Sequence, residues 1–172
     1  ASDDSSAGLF DQYEEICVFK SSARLGYAAN MSRIYGYTRE QGYGFVFVFD
    51  GDGQHDPRNL QRLAEKMLEG YDSVVCSRYA SGRKFPVKFP RRVGMFLYRL
   101  LLFSLGCGWV ADPTSGNFAI SRPVIHLLAE ISLGFYILDA SLILAMNKAS
   151  PRFCSVPGLF HEQSQRSMHE DL

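Results

Sequence analysis

The sequence is poor in the features that mark a disulfide scaffold, a nucleic-acid binder or a membrane span. Only four of 172 residues are cysteine, Cys17, Cys76, Cys107 and Cys154. None pairs as C-x-x-C, so neither a zinc knuckle nor a disulfide framework is indicated, and buried free thiols are expected. Neither sign of charge dominates, since 18 Lys and Arg balance 18 Asp and Glu. That balance removes the cationic surplus by which a generic nucleic-acid binder holds phosphates, and no nucleic-acid partner is expected. Long apolar runs are missing too: Arg99 interrupts the greasiest stretch, Met95 to Ala111, which also carries Gly106 and Gly108. A bilayer span needs about 20 consecutive apolar residues, so a core or interfacial helix fits better. The acidic, polar opening of residues 1–8 does not read as a secretory leader.

What is present describes one globular domain. Apolar residues make up 47% and charged residues 21% of the chain, which excludes disorder and fibrous repeats. A single domain over residues 1–160 is expected, with a polar, mobile tail over 161–172. The zero net charge is unevenly spread. No acidic residue lies between Asp72 and Asp112, whereas Arg78, Arg83, Lys84, Lys88, Arg91, Arg92 and Arg99 do, so the remainder sums to minus seven.

Strands and helices alternate along the chain. Phe45 to Phe49 (FVFVF) is a short apolar run between Gly44 and Asp50, and it predicts a strand buried on both faces. A helix should follow, with Asp56 as its N-cap, Pro57 in its first turn and a stripe of Leu60, Leu63, Ala64, Met67 and Leu68 ending at Gly70. Asp72 to Cys76 is the next strand, so the two strands and the helix make a βαβ unit. Upstream, Ile16 to Phe19 suggests a strand and Ala28 to Gln41 a helix. Downstream, helices are expected over Arg91 to Leu105, Pro123 to Leu133 and Leu138 to Lys148. Extended pieces are expected at Gly116 to Ile120 and Phe153 to Val156. The pattern is that of an α/β domain.

Chemistry concentrates in Asp50-Gly51-Asp52-Gly53-Gln54-His55-Asp56-Pro57, at the C-terminal end of the first clear strand. In open α/β sheets that edge is where ligands bind. Two carboxylates at i and i+2 can turn toward one point, and hard oxygens suit Mg²⁺ or Mn²⁺, with Gln54 able to add a neutral oxygen. Such a cation neutralises a diphosphate and helps it leave. Three other readings apply to the same residues. An EF-hand wants glycine at its sixth position and glutamate at its twelfth, where this loop has His55 and Gln61. A haloacid-dehalogenase-type phosphohydrolase places a nucleophilic Asp after a strand but needs a later acidic pair, and Asp112, Glu130, Asp139 and Glu162 form none. A merely capping acidic turn explains Asp56 but not Asp50 and Asp52. His55, His126, His161 and His169 have no metal-ligand spacing.

Asp50 to Pro57 resembles the D-x-D-G-Q-H-x-P motif of family 2 glycosyltransferases, in particular the polyprenol-phosphate (dolichol-phosphate) sugar transferases. Other segments are similar in the same order. Asp3-Asp4-Ser5-Ser6 resembles the D-D-x-S that meets the nucleotide, and Gly26-Tyr27-Ala28-Ala29-Asn30 the G-x-A-x-N turn. Ser77-Arg78-Tyr79 is similar to S-R-[FY], Arg91-Arg92 to the following basic pair, and Asp112-Pro113-Thr114-Ser115-Gly116 to D-x-T-S-G.

The resemblance implies a GT-A fold, a Rossmann-like α/β sandwich with a mostly parallel central sheet flanked by helices. It implies an inverting, metal-dependent transfer of a hexose from a nucleoside-diphosphate sugar to an acceptor, polyprenyl or dolichyl phosphate above all. Asp50, Asp52 and Gln54 would hold Mg²⁺ or Mn²⁺, while Asp3, Asp4 and Gly26 would meet the nucleotide. Arg78, Arg92 and Arg166 would meet the phosphate of a lipid acceptor, as paired guanidinium donors suit. Asp139 is a candidate base, although Ser141 stands where a second acidic residue is usual, and an acceptor phosphate needs no base. Asp112 is expected to fix the turn ahead of Gly116. Peripheral contact with the cytoplasmic face of a membrane is implied. Arg91 to Leu105 could make it as an amphipathic helix, with a plain core helix as the alternative. The apolar strand and P-x-Y-N-E that open the family pattern are absent, so a domain incomplete at its N-terminus is expected, and with it the alternative of a non-catalytic metal- or nucleotide-binding relative. Gln165-Arg166-Ser167-Met168 matches the family's late R-x-x-G-S only loosely.

Overall fold

The computed structural model describes residue 8 and residues 10–80, 89–107, 110–130 and 152–161. Among the described residues there are four helices, α1 (Tyr27–Glu40), α2 (Asn59–Leu68), α3 (Phe89–Ser104) and α4 (Arg122–Glu130), and four strands, β1 (Phe45–Val48), β2 (Ser73–Ser77), β3 (Phe118–Ser121) and β4 (Phe153–Pro157). The strands form one sheet in the order β1-β3-β2-β4. The expected α/β alternation is therefore present. The sheet is mixed rather than mostly parallel among the described strands. β3 runs antiparallel to both β1 and β2, and only β2 and β4 pair in parallel.

Alternation along the central strands builds two cores. Val75 points to one face with Phe118 and Ile120 of β3, where Met31 and Tyr35 of α1 and Val124, Ile125 and Leu128 of α4 close over them. Val74, Cys76 and Ala119 point to the other face against Leu63 and Met67 of α2. All five residues of β2 are buried, which is why SVVCS shows no polar alternation. Burial pushes the Tyr35 hydroxyl and the Cys76 thiol upward in pKa, the latter to about 12. A third cluster joins Leu102 of α3 to Cys107, Val110 and Phe153.

Several expectations need correction. β1 is an outer strand of the described sheet and is only half-buried, with Phe45 exposed, because β3 covers one of its edges. Residues 16–19 do not join the sheet: Phe19 instead packs edge-on against Tyr37 of α1, with the Arg33 guanidinium over its ring. Cys17 is exposed, not buried. The inward stripe of α2 is Asn59, Leu63 and Met67, spaced by four, which leaves Leu60 and Leu68 in solvent. α2 begins at Asn59, after a turn at Pro57 and Arg58 in which Asp56 accepts the Arg58 amide. The helix expected over 138–148 and the tail beyond His161 lie outside the described residues.

Candidate active site

The topology brings four chain segments to one edge of the sheet. β1, β2 and β4 share one direction and end there, and β3, running the other way, begins there. The loop after β1 carries Asp50, Asp52 and Gln54. The residue after β2 is Arg78. The turn before β3 is Asp112 to Asn117, and the stretch after β4 is residues 158–161. This is the crevice that open α/β sheets use for ligands.

The Asp50 loop is held by its own polar groups. The Gln54 amide donates to Asp52 Oδ1 at 2.9 Å, and Gly53 takes the left-handed φ of 76° that closes the turn. The Asp50 amide donates to His55 Nδ1 at 3.0 Å, which leaves the ring proton on Nε2, 3.7 Å from Asp50 Oδ2. The His55 ring lies edge-on to Phe49 and Phe160, and burial lowers its pKa. The Asp50 carboxyl is pushed up, first by burial and then by Asp52, with His55 opposing. Asp52 adds negative charge near an Asp50 carboxyl that stays 43% exposed, and a cation there would offset that charge. No group of three or more His, Cys, Asp or Glu gathers for a metal among the described residues. Asp50, Asp52 and Gln54 offer hard oxygens, and an ion held by so few protein donors would take the rest of its shell from phosphate and water, as Mg²⁺ does.

Gly116 closes on this loop from the opposite strand. A methyl group there would overlap Asp50 Oδ2 and come within 3.1 Å of its Cγ, so only glycine lets the carboxylate keep its place. The same turn is anchored to Arg78. Asp112, fully buried, accepts Arg78 Nε and Nη2 at 2.7 Å each and the Arg78 amide at 3.0 Å. Thr114 Oγ1 accepts a further bond from Nη2 at 2.8 Å. Breaking a buried pair of this kind by removing one partner costs about 3–5 kcal/mol. The side chain of Asp112 thus goes mainly to Arg78, and its turn is held by backbone, the Ser115 amide donating to the Asp112 carbonyl. Ser115 Oγ donates to the Cys76 carbonyl, and Asn117 Nδ2 to the Val48 carbonyl. The turn is therefore stitched to both neighbouring strand ends.

Residues 158–161 complete the site, and sequence reasoning missed them. His55 and Phe160 form a bridge, the His161 amide donates to the Gln54 carbonyl at 2.9 Å, and the Asp56 amide donates to the Leu159 carbonyl. Asn59 grips Leu159 by both ends, Nδ2 donating to its carbonyl at 2.9 Å and Oδ1 accepting its amide at 2.8 Å. Asp56 is held far below the usual carboxylate range, first by its bonds from Arg58, and His161 Nε2 lies 3.0 Å from it. The signal available was Asn59, a polar residue on the inward stripe of an amphipathic helix, which must find a partner. Of the other candidates, Gly26 starts α1 with φ 78°, and Arg92 is exposed on α3. Asp3, Asp4, Asp139 and Arg166 lie outside the described residues.

An α/β sheet whose ligand edge gathers a D-x-D loop, an arginine and a glycine-closed turn is the framework of a GT-A nucleotide-sugar transferase. A solved structure shares the fold: glucosyl-3-phosphoglycerate synthase from Mycobacterium tuberculosis, in complex with Mn²⁺ and uridine-diphosphate-glucose, superposes with a TM-score of 0.53 at 24% identity. The match covers 87% of this chain and 50% of that one. The model of Glycosyl transferase family 2 matches residues 1–128, and the chain belongs to that family. Among curated relatives, dolichol-phosphate mannosyltransferase of Pyrococcus furiosus is 32% identical over 115 residues, 64% of this chain and 32% of that protein. UDP-N-acetylglucosamine–dolichyl-phosphate N-acetylglucosaminyltransferase of Methanococcus voltae is 29% identical over 93 residues, 53% of this chain and 37% of that protein. The chain thus spans about a third of the length of these two relatives. Family membership removes the phosphohydrolase alternative.

Proposed function

We propose that this chain carries the donor and acceptor site of an inverting glycosyltransferase that moves a hexose from a nucleoside-diphosphate sugar to polyprenyl or dolichyl phosphate at the cytoplasmic face of a membrane. The observation that carries the reading is the contact of Gly116 with Asp50. It sets the Asp50 loop against the turn anchored on Arg78, which supports reading the two together as one site for two phosphorylated substrates. The names of the two relatives support dolichyl phosphate as the acceptor.

Asp50 and Asp52, with Gln54, would hold Mg²⁺ or Mn²⁺, and when bound the ion supplies charge neutralisation of the departing diphosphate. Asp3, Asp4 and Gly26 are assigned to the nucleotide. Arg78, Arg92 and Arg166 are assigned to phosphate. Asp112 and Thr114 already take the Nε and Nη2 donors of Arg78, so a phosphate would meet a guanidinium held in one orientation and would not reach it through that paired edge. The acceptor phosphate oxygen attacks the anomeric carbon as the bond to the donor diphosphate breaks, in one displacement that inverts the centre. The nucleophile is already an anion, and Asp139 is then dispensable as a base.

The test is transfer itself. The chain is incubated with UDP- or GDP-hexose, dolichyl phosphate and Mn²⁺, and the product is extracted into organic solvent. One donor should give a lipid-linked hexose, and Asp52→Ala should lower the rate about 100-fold or more, the scale of losing an electrostatic contact to the leaving group. Nucleotide binding without any transfer would favour the alternative of a non-catalytic relative.

A further inference from the structure

The strap after β4 brings one aromatic ring to two separate parts of the ligand edge. Phe160, half-buried, lies edge-on to the His55 imidazole at 5.6 Å between centroids, and the Arg78 guanidinium carbon stands 6.0 Å from the centre of the same ring. The ring folds back over its own chain. A methyl group on Gly158 would overlap Phe160 Cε2 and come within 3.1 Å of Cys76 Cβ, so only glycine leaves the ring its place. Backbone bonds fix the strap on either side of it: the Gly158 amide donates to the Ser77 carbonyl at 2.9 Å, next to Arg78, and the His161 amide to the Gln54 carbonyl at 2.9 Å, next to His55. Phe160 also packs against the core cluster around Leu63 and Val156. A leucine would serve that apolar contact, whereas the contacts with an imidazole and a guanidinium need an aromatic ring.

We propose that Phe160 is a positioning residue shared by the Asp50 loop and the Arg78 turn: an edge-on contact keeps the His55 imidazole turned toward Asp50, and a cation–π contact keeps the Arg78 guanidinium turned toward Asp112. The first contact acts through His55. Nδ1 of its ring accepts the Asp50 amide at 3.0 Å, and Nε2, on a side chain only 6% exposed, lies 3.7 Å from Asp50 Oδ2. A rotation of the imidazole would therefore release the backbone and the carboxylate of a candidate metal ligand together. The second contact backs a guanidinium whose Nε and Nη2 go to Asp112 and Thr114, with the Tyr79 ring 5.7 Å away as a further aromatic neighbour. One ring thus sets the alignment of the acidic loop and of the arginine relative to each other. The inference rests on the transferase reading above and names the residue that aligns the metal-type and phosphate-type halves of that site.

Side-chain nitrogen NMR of the labelled chain reads both contacts without turnover, with His55→Gln and Arg78→Lys to assign the two signals. Wild type at neutral pH should show His55 as the Nε2–H tautomer, because Nδ1 accepts the Asp50 amide, and slow solvent exchange of the Arg78 Nε proton. Phe160→Leu keeps an apolar side chain against the core and removes the ring. It should bring in the second His55 tautomer and speed the Arg78 exchange about two- to tenfold, the scale of one lost aromatic contact. Phe160→Tyr keeps the ring and should restore both signals. In the transfer assay Phe160→Leu should raise the Mn²⁺ requirement and the KM for dolichyl phosphate together, more than it lowers kcat, with Phe160→Tyr close to wild type. Matching thermal melting of the two variants separates loss of alignment from loss of fold. The proposal is overturned if Phe160→Leu leaves both signals as in wild type, if only one of them moves, or if Phe160→Tyr behaves as Phe160→Leu does. The expected NMR changes in a chain that transfers no sugar would support Phe160 as the link and count against the transferase reading alone.

Discussion

At Gly116 a hydrogen atom in place of a side chain decides whether Asp50 can hold its position. Gly116→Ala should push the exposed carboxylate aside with little loss of stability, because the atoms it meets are the far end of the Asp50 side chain. Metal-dependent nucleotide affinity measured by calorimetry should then fall about tenfold or more, and an unchanged affinity would mean that Asp50 is not a ligand. The acidic loop was legible in the sequence, because two carboxylates behind an apolar strand have few structural reasons to be there. Its neighbour was not: Gly116 and Asp112 meet Asp50 and Arg78 across antiparallel pairing that leaves no period in the chain. Asp112 could be read as a turn residue, whereas its bidentate hold on Arg78 spans 34 positions.

Among the elements, α1 and β4 fall within about a residue of expectation, whereas α2, with the sharpest apolar spacing, starts two residues after Pro57 because Asp56 and Arg58 close a turn first. The insertion of β3 between β1 and β2 had no local signal. FVFVF reads as a central buried strand because its side chains do pack on both faces, Val46 and Val48 into one core and Phe47 and Phe49 into the other, and only its place at the edge of the described sheet sets it apart. The strap of residues 158–161 was also hidden, although its anchor was visible as Asn59. Asn59→Ala removes two hydrogen bonds from Leu159 and leaves its part-buried amide unpaired, at about 1–3 kcal/mol if no water replaces Asn59, while the Leu159 carbonyl keeps the Asp56 amide. Amide hydrogen exchange at residues 158–161 should accelerate, with little change in β2. Equal protection in variant and wild type would mean that the backbone bridges of His55 and His161 hold the strap without Asn59.

For the whole molecule, the balanced charge is a sum of separated parts. The positive stretch of residues 73–111 includes Arg78 at the ligand edge and the helix α3, while Asp50 and Asp52 face the same edge from β1. A site that must bring together a diphosphate, a second phosphate and a divalent cation needs both signs close by, and a net charge of zero is compatible with that. The GT-A framework accounts for why Asp50, Asp52, Arg78 and Asp112, drawn from three distant segments, converge at strand ends. The most direct measurement is titration calorimetry of the chain with UDP and with GDP, each with and without Mn²⁺, repeated on Asp52→Ala. The site described here requires that one nucleotide bind only when Mn²⁺ is present and that Asp52→Ala abolish the binding heat. Nucleotide binding that is indifferent to metal, or that survives Asp52→Ala unchanged, would contradict it.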